Sequence, residues 1–316
     1  MSTETTMHAI RQQTLGGPGV LELVEVPRPS PIPTEVLVRT LAAGVNPVDW
    51  KVRARGGLLG EPPFTVGWDV AGVVEEIGFG VTRFSVGDRV FGMPRFPSEA
   101  AAYAEYVTSP SRQLALIPDA LDDVEAGAVP LAGLTAWQAL VETANVQPGQ
   151  RVLVLAAAGG VGHLAVQIAK ARGAYVLGTA RAEKHAFLAD LGADEAIDYT
   201  SENVAERAHE VDVVLDLVGG ETGLDAFPAL RAGGVFVSIP SSTGLAELQE
   251  LASGRARVTG ILVEPDRAGL EALAELVAAG ALRPHVSQTF PLAEAGRAHE
   301  LGETGRTQGK LVLTID

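Results

Sequence analysis

Apolar and polar positions follow different patterns in the two parts of this 316-residue chain. Over residues 7–117 the apolar residues fall in short stretches broken by Gly and Pro: LELVEV at 21–26, EVLVRT at 35–40, VAGVVEEI at 70–77 and DRVF at 88–91. Short β-type runs separated by turn residues predict an all-β, barrel-like domain. The proline cluster at 27–33 cannot lie in a central strand and marks an exposed connection. Gly87-Asp88 supplies a turn before the strand that follows. The first strand is expected from Met7, with residues 1–6 as a frayed leader, and residues 119–144 read as a helical bridge. Beyond it the strands become near-continuous apolar runs at 152–155, 175–178, 195–198, 211–216, 233–239 and 257–263, most of them separated by helical patterns. That alternation predicts a parallel sheet covered by helices on both faces. A last strand at 310–315 is expected to return to the first domain.

The turn after the first of these parallel strands carries the most chemical information. RVLVLAAAGGVG at 151–162 runs straight into the helical pattern HLAVQIAKARG. Strand, small-residue turn and helix start form an anion site, because unpaired first-turn amides and aligned peptide dipoles favour negative charge there. Ala158, Gly159, Gly160 and Val161 are the candidate pyrophosphate contacts, and a Cβ on Gly159 or Gly160 is expected to hold phosphates away. Ala157 stands where a strict G-x-G-x-x-G has its first glycine, so a tight turn without a ligand is the competing reading. In dinucleotide-binding sheets a carboxylate that grips the ribose 2′-hydroxyl lies about 20 residues further on. Here that place holds Thr179-Ala180-Arg181, with Lys184 one helical turn later. A hydroxyl and two cations attract a 2′-phosphate that a carboxylate would repel. The expected cofactor is NADPH rather than NADH, against the alternative of a solvated Arg and Lys opening a surface helix. Glu183 between them is expected to face solvent. The sheet is of the doubly wound Rossmann type, whose ligands lie beyond the strands' carboxyl ends at the switch point. Val218, Gly219, Ile239 and Pro240 fall on that path, and Leu262 near the end of the sixth strand is grouped with them.

Composition narrows the partners. Hydrophobic residues make up 47% and charged residues 20%, enough for a sizeable core, and the length allows two domains. A net charge of −15 leaves no basic face for nucleic acid. With no cysteine there is no disulfide, thiolate chemistry or cysteine-ligated metal. The N-terminus lacks a basic n-region and an apolar h-region, so no signal peptide is expected, and no run approaches the roughly 18 apolar residues of a membrane span. These features predict a soluble cytoplasmic protein.

Several motifs in one order then carry a resemblance over nearly the whole chain: AGVNPVD at 43–49, GWDVAGVV at 67–74, VGDRV at 86–90, LAGLTAWQAL at 131–140, the phosphate turn, LGAD at 191–194, Asp198-Tyr199 and Gly309-Lys310. The chain resembles the medium-chain dehydrogenase/reductase superfamily and, within it, the zinc-independent quinone oxidoreductases. The resemblance implies a GroES-like β-barrel catalytic domain at 1–123 completed by 284–316, a Rossmann NADP-binding domain at 124–283, and an active site in the cleft between them. Where zinc alcohol dehydrogenases carry their catalytic ligands, this chain has Asn46, Trp68 before Asp69, and Leu131. These cannot assemble a zinc site, and His163, His185, His209, His285 and His299 are scattered singly. No metal is therefore expected. Without a Lewis acid the favoured hydride acceptor is one that already delocalises charge.

The resemblance makes Asn46 the first candidate to bond the substrate oxygen or the nicotinamide ribose, with a turn residue before Pro47 as the alternative. Trp50, where related enzymes often have tyrosine, is a candidate wall for a flat substrate. Thr135 is a candidate contact to the cofactor's ribose or phosphates, against back-bonding to its own helix. Tyr199 is a candidate neighbour of the 2′-phosphate. Lys310 either reaches the cofactor cleft or is a solvated strand end. Tyr103 and Tyr106 read as barrel packing and Asp49 as a structural hydrogen-bonder. No Ser-Tyr-Lys or Ser-His-Asp set emerges, which leaves solvent as the final proton source. The loops at 50–64 and 93–99 are candidate mobile rims. The sixth parallel strand, at the sheet edge, predicts a homodimer. Three functions stand at this point: an NADPH-dependent quinone reductase, an NADPH-dependent enone or alkenal (enoyl) reductase, and a non-catalytic NADPH-binding redox sensor or structural protein.

Overall fold

The computed structural model describes residues 5–240 and 244–316, so the expected leader lies largely outside the described residues. The chain divides into two compact units. One comprises residues up to Leu134 with Glu264–Ala279 and Pro284–Asp316, the other Thr135–Val263 with Gly280–Arg283.

The first unit opens with β1 (Thr6–Arg11) paired antiparallel to β2 (Glu22–Pro27). Then follow β3 (Glu35–Val45), α1 (Pro47–Arg55), β4 (Val70–Ile77), β5 (Arg89–Gly92), β6 (Tyr106–Pro110), β7 (Leu114–Leu116), α2 (Asp123–Gly127) and α3 (Pro130–Trp137). The alternation in residues 35–40 predicted only the first half of β3. Its second half is the apolar run to Val45, which needs a partner from the far end of the chain.

The second unit holds β8 (Arg151–Val154), α4 (Gly162–Ala171), β9 (Tyr175–Ala180), α5 (His185–Asp190), β10 (Glu195–Asp198), α6 (Val204–Arg207), β11 (Val211–Asp216), α7 (Gly220–Ala226), β12 (Leu230–Ser238), α8 (Leu245–Ala252) and β13 (Arg257–Gly260). Its six strands are all parallel in the order β10-β9-β8-β11-β12-β13. The chain winds outward from β8 to β10, then returns and winds the other way from β11, so β8 and β11 flank the switch point. Val152, Leu153, Val213, Val214 and Phe236 are buried, as strands covered on both faces require. The expected sixth strand is shorter than its apolar run. Pairing with β12 ends at Gly260, and Leu262 beyond it is 58% exposed.

The chain then returns to the first unit through α9 (Arg267–Ala278), β14 (Val286–Pro291), α10 (Ala295–Glu303) and β15 (Lys310–Thr314). β15 pairs antiparallel with β3, setting Leu311 opposite Val45 and Thr314 opposite Ala42. The resulting sheet runs β14-β15-β3-β4-β5-β7, with β6 also paired to β3. The boundary at 283/284 recurs, while the first division differs from the expected 123/124. That first division falls within α3, and α9 belongs to the first unit. The reason is packing: α9 buries Leu270, Leu273 and Val277, and a Cβ on Gly133 would lie 2.8 Å from Leu273 Cδ1.

Candidate functional site

In the second unit, residues 155–161 turn from β8 into α4. The Ala156 N–H donates to Thr179 Oγ1 (3.0 Å) and the Ala157 N–H to Thr179 O (2.9 Å), strapping the turn to β9. Thr179 is buried, and its hydroxyl oxygen accepts the hydrogen bond that supports the turn. The Gly159 N–H donates to Ala156 O (2.9 Å) and is likewise engaged. Among the described residues, no backbone carbonyl accepts from the amides of Ala158, Gly160 or Val161. These three donors at the entry to α4 are what an anionic group needs.

Within the chain itself, the steric demand on the turn falls on Gly162. A Cβ on Gly162 would run into Ala156 O and stand 2.7 Å from Ala157 Cα, whereas one on Gly159 would lie 3.2 Å from Ala156 O. The departure at Ala157 also has a cause. A Cβ on Gly178 would lie 2.8 Å from the Ala157 methyl, so the glycine of β9 leaves the room that the alanine fills. The turn thus fits a pyrophosphate without the first glycine of the strict motif.

Arg181 follows β9 and is exposed, and its Nε donates to Tyr199 Oη (3.2 Å), so two of the predicted 2′-phosphate residues meet. Lys184, half-buried, follows on a short helical turn, with Glu183 exposed beside it. Burial lowers the Lys184 pKa, while Glu183 raises it. At the carboxyl end of β11, buried Asp216 accepts from the N–H groups of Val218 (2.9 Å) and Gly219 (2.8 Å), and from Ser238 Oγ (3.0 Å). This carboxylate fixes the loop that exposes Val218, a role the apolar strand pattern does not reveal. Gly219 takes φ +78°, and a Cβ on it would lie 3.2 Å from Pro240 Cβ. Ile239 and Pro240 are half-buried there, and Thr135 is buried on α3.

The first unit carries a closed polar cluster. Lys310 Nζ donates to Val45 O (3.0 Å) and to Asn46 Oδ1, and lies 3.5 Å from Asp69 Oδ2. Asn46 Nδ2 donates to Asp69 Oδ2 (2.8 Å), and the Leu131 N–H to Asp69 Oδ1 (2.6 Å). Asn46, Asp69 and Lys310 are 1%, 0% and 2% exposed, so Lys310 is no solvated strand end. Burial pushes the Asp69 pKa up, and Lys310 is the strongest influence pulling it down. Gly44 must lack a side chain because a Cβ there would meet this carboxylate. The zinc-ligand positions therefore hold an amide, an alkyl group and the fully buried Trp68, whose indole N–H donates to Ser98 O (2.7 Å). An ammonium group already faces the carboxylate. Among the described residues, no group of three or more His, Asp or Glu could hold a metal ion. This donor set does not fit zinc.

Beside the cluster runs a chain of hydrogen bonds that sequence reasoning missed. Asp49 Oδ2 accepts from the Asn46 N–H (2.6 Å) and from Tyr103 Oη (3.1 Å). Tyr103 Oη also contacts His299 Nε2 (3.1 Å), His299 Nδ1 contacts Arg53 (3.2 Å), and Arg53 reaches Glu303 (2.8 Å). A guanidinium only donates, so Nδ1 accepts and the neutral ring bears its proton on Nε2. Burial raises the Asp49 pKa to about 7 and lowers that of His299 to about 3. Asp49 is thus the expected structural hydrogen-bonder, but Tyr103 does more than pack the barrel. Tyr106 packs under Arg28, whose guanidinium carbon lies 4.3 Å from the ring centroid. Trp50 is half-buried against α10. A Cβ on Gly302 would meet its ring at 2.7 Å, and His299 lies edge-on at 6.1 Å.

Comparison with known proteins agrees with both units. The alcohol dehydrogenase GroES-like domain model matches residues 32–119, and the zinc-binding dehydrogenase model matches residues 191–313. A 2-haloacrylate reductase of Burkholderia sp is 36% identical, over 94% of this chain and 96% of that protein. A quinone oxidoreductase of Pseudomonas aeruginosa is 37% identical over the same shares. Among solved structures, the quinone oxidoreductase from Coxiella burnetii has a TM-score of 0.93 at 38% identity, covering 99% of this chain and 100% of that one. The Escherichia coli quinone oxidoreductase complexed with NADPH has a TM-score of 0.87 at 32% identity, covering 98% and 100%. An unpaired-amide turn, an Arg–Tyr pair after the second parallel strand and whole-length similarity thus converge: the chain belongs to the quinone oxidoreductase family of the medium-chain dehydrogenase/reductase superfamily.

Proposed function

We propose that this protein transfers a hydride from NADPH to a quinone without a metal ion. The observation that carries this reading is the pairing of unengaged amides at Ala158, Gly160 and Val161 with cationic Arg181 and Lys184 after the next strand. The amides would hold the pyrophosphate, and Arg181, Lys184 and Tyr199 the 2′-phosphate. Val218, Ile239, Pro240, Leu262 and Thr135 are proposed to line the remainder of the cofactor's path. When bound, the nicotinamide supplies the hydride, and the chain supplies orientation and exclusion of water. Asn46 is proposed to reach the nicotinamide ribose or the substrate oxygen through its second amide N–H, which Gly44 O holds only at 3.5 Å. Trp50 is proposed to flank the acceptor ring. Lys310, initially grouped with the cofactor contacts, has all three donors directed to Val45, Asn46 and Asp69, which supports a role in fixing Asn46.

A second reading, reduction of an activated carbon–carbon double bond, is favoured by the similarity to a 2-haloacrylate reductase. Steady-state oxidation of NADPH with 1,4-naphthoquinone, 9,10-phenanthrenequinone and a 2-alkenal separates the two. Turnover of the quinones alone supports the first, and turnover of the alkenal alone supports the second. Tight NADPH binding with no acceptor reduced would sink both and leave a binding role. The same reading takes the protein as a cytoplasmic homodimer joined along β13. The position of β13 at the sheet edge supports the dimer, and sedimentation at a monomer's mass would remove it. No helix among the described residues is long and apolar enough to cross a membrane.

A further inference from the structure

His163 is the second residue of α4 and is fully buried, an unusual position for an imidazole beside an anion-binding turn. Its Nδ1 lies 2.9 Å from Gly159 O, which also accepts from the His163 N–H at 3.0 Å. A carbonyl oxygen only accepts, so Nδ1 carries the proton. The other side of the same peptide is the Gly160 N–H, one of the three amides without a backbone acceptor. In a planar trans peptide the C=O and N–H point in opposite directions. Two donors holding the Gly159 carbonyl into α4 therefore turn the Gly160 N–H away from the helix. The His163 ring also stacks on Phe187 of α5, with centroids 6.5 Å apart and planes at 28°. α5 directly follows the helical turn that carries Lys184.

We propose that His163 is a positioning residue that aims the Gly160 N–H at the cofactor's pyrophosphate. This rests on the NADPH reading above. His163 need not touch the cofactor; it acts through the Gly159–Gly160 peptide.

Two variants separate the Gly159 hydrogen bond from the Phe187 stack. His163→Phe keeps a ring against Phe187 but removes the donor. His163→Asn places an amide N–H where Nδ1 stood and removes the ring. Dissociation constants for NADPH are measured by fluorescence titration and for 2′-AMP, which lacks the pyrophosphate, by calorimetry. The expected result is an NADPH Kd raised about tenfold in His163→Phe, roughly one hydrogen bond's worth. In His163→Asn it stays within about twofold of wild type, and 2′-AMP binding is unchanged in both. Equal weakening of NADPH in the two variants, or an unchanged Kd in His163→Phe, overturns the inference. So does a loss of 2′-AMP affinity parallel to that of NADPH. Should His163→Phe fail to fold, the wild-type imidazole ¹⁵N spectrum decides: the Nδ1–H tautomer is expected, and the Nε2–H tautomer overturns the proposal. Wild-type protein that binds no NADPH overturns the cofactor reading and this inference together, whereas wild-type binding with unaltered variants overturns this inference alone.

Discussion

The two units hold their polar chemistry in opposite states. In the first, Asn46, Asp69 and Lys310 are sealed from solvent and engage one another's donors and acceptors. In the second, the amides of Ala158, Gly160 and Val161 have no backbone acceptor among the described residues, and Arg181 is exposed. Buried charge persists only when paired, so the first cluster is a structural element that sets the join of β3 to α1. Donors kept unengaged near the surface are suited to an incoming anion. The difference separates the groups that fix Asn46 from those proposed to meet the cofactor's phosphates, although Lys310 stood in the sequence beside Arg181 and Lys184 as a candidate cofactor contact.

The largest expected effect comes from opening the sealed cluster. Lys310→Met leaves the Asp69 carboxylate buried without its cation and is expected to lower stability by about 3–5 kcal/mol in urea unfolding. Adding Asp69→Asn removes the uncompensated charge and should recover more than half of that loss. A loss under about 1 kcal/mol in the single variant, the range of exposed ion pairs, would remove the distinction between the two regions.

Next in size is a probe of the open region. Gly162→Ala drives a methyl group into Ala156 O and is expected to cost about 1–3 kcal/mol. It should also weaken NADPH binding about tenfold, about 1.4 kcal/mol. Gly17→Ala, whose Cβ meets nothing within 4 Å, serves as the control and should stay within about 0.5 kcal/mol. Equal effects at the two glycines would show that the turn yields freely.

Sequence reasoning worked where structure is local. The parallel strands of the second unit are apolar runs between turn residues, and their number, order and helical spacing follow from that. It failed where a distant segment decides. The second half of β3 depends on β15, and so does the burial of Lys310, which reads locally as a strand end. Tyr103, Asp49 and His299 are separated by 54 and 196 positions, so no spacing announces their chain of hydrogen bonds. The glycine-rich turn was visible, but a row of small residues does not say which Cβ would strike a backbone atom. That residue is Gly162, while Gly178 makes Ala157 tolerable.

That hidden chain gives a smaller effect with a definite sign. Asp49 rises from 3.8 to about 7 on folding through burial, so its contribution to stability is full below pH 3.8 and is lost as pH rises to 7. His299 falls from 6.5 to about 3, also through burial, so its contribution is full above pH 6.5 and is lost as pH falls to 3. Between these limits the two slopes oppose each other. Relative to wild type, His299→Asn should therefore lose stability as pH rises from 4.5 to 6, and Asp49→Asn should gain it. Each slope is bounded by about 1.4 kcal/mol per pH unit. Urea midpoints at the two pH values check this, and parallel shifts in both variants would contradict the opposed burial of the pair.

The central proposal is that exposed Arg181 and half-buried Lys184 select NADPH over NADH, while the unengaged amides hold the pyrophosphate that both share. Its most direct test is a titration of wild type and of the Arg181→Glu/Lys184→Glu double variant with NADPH and with NADH. The account predicts that wild type prefers NADPH by at least about tenfold, the value of one or two charge-assisted contacts. The double variant should lose that preference while still binding NADH through the amides of Ala158, Gly160 and Val161. An NADPH-to-NADH ratio that is the same in both proteins would contradict it.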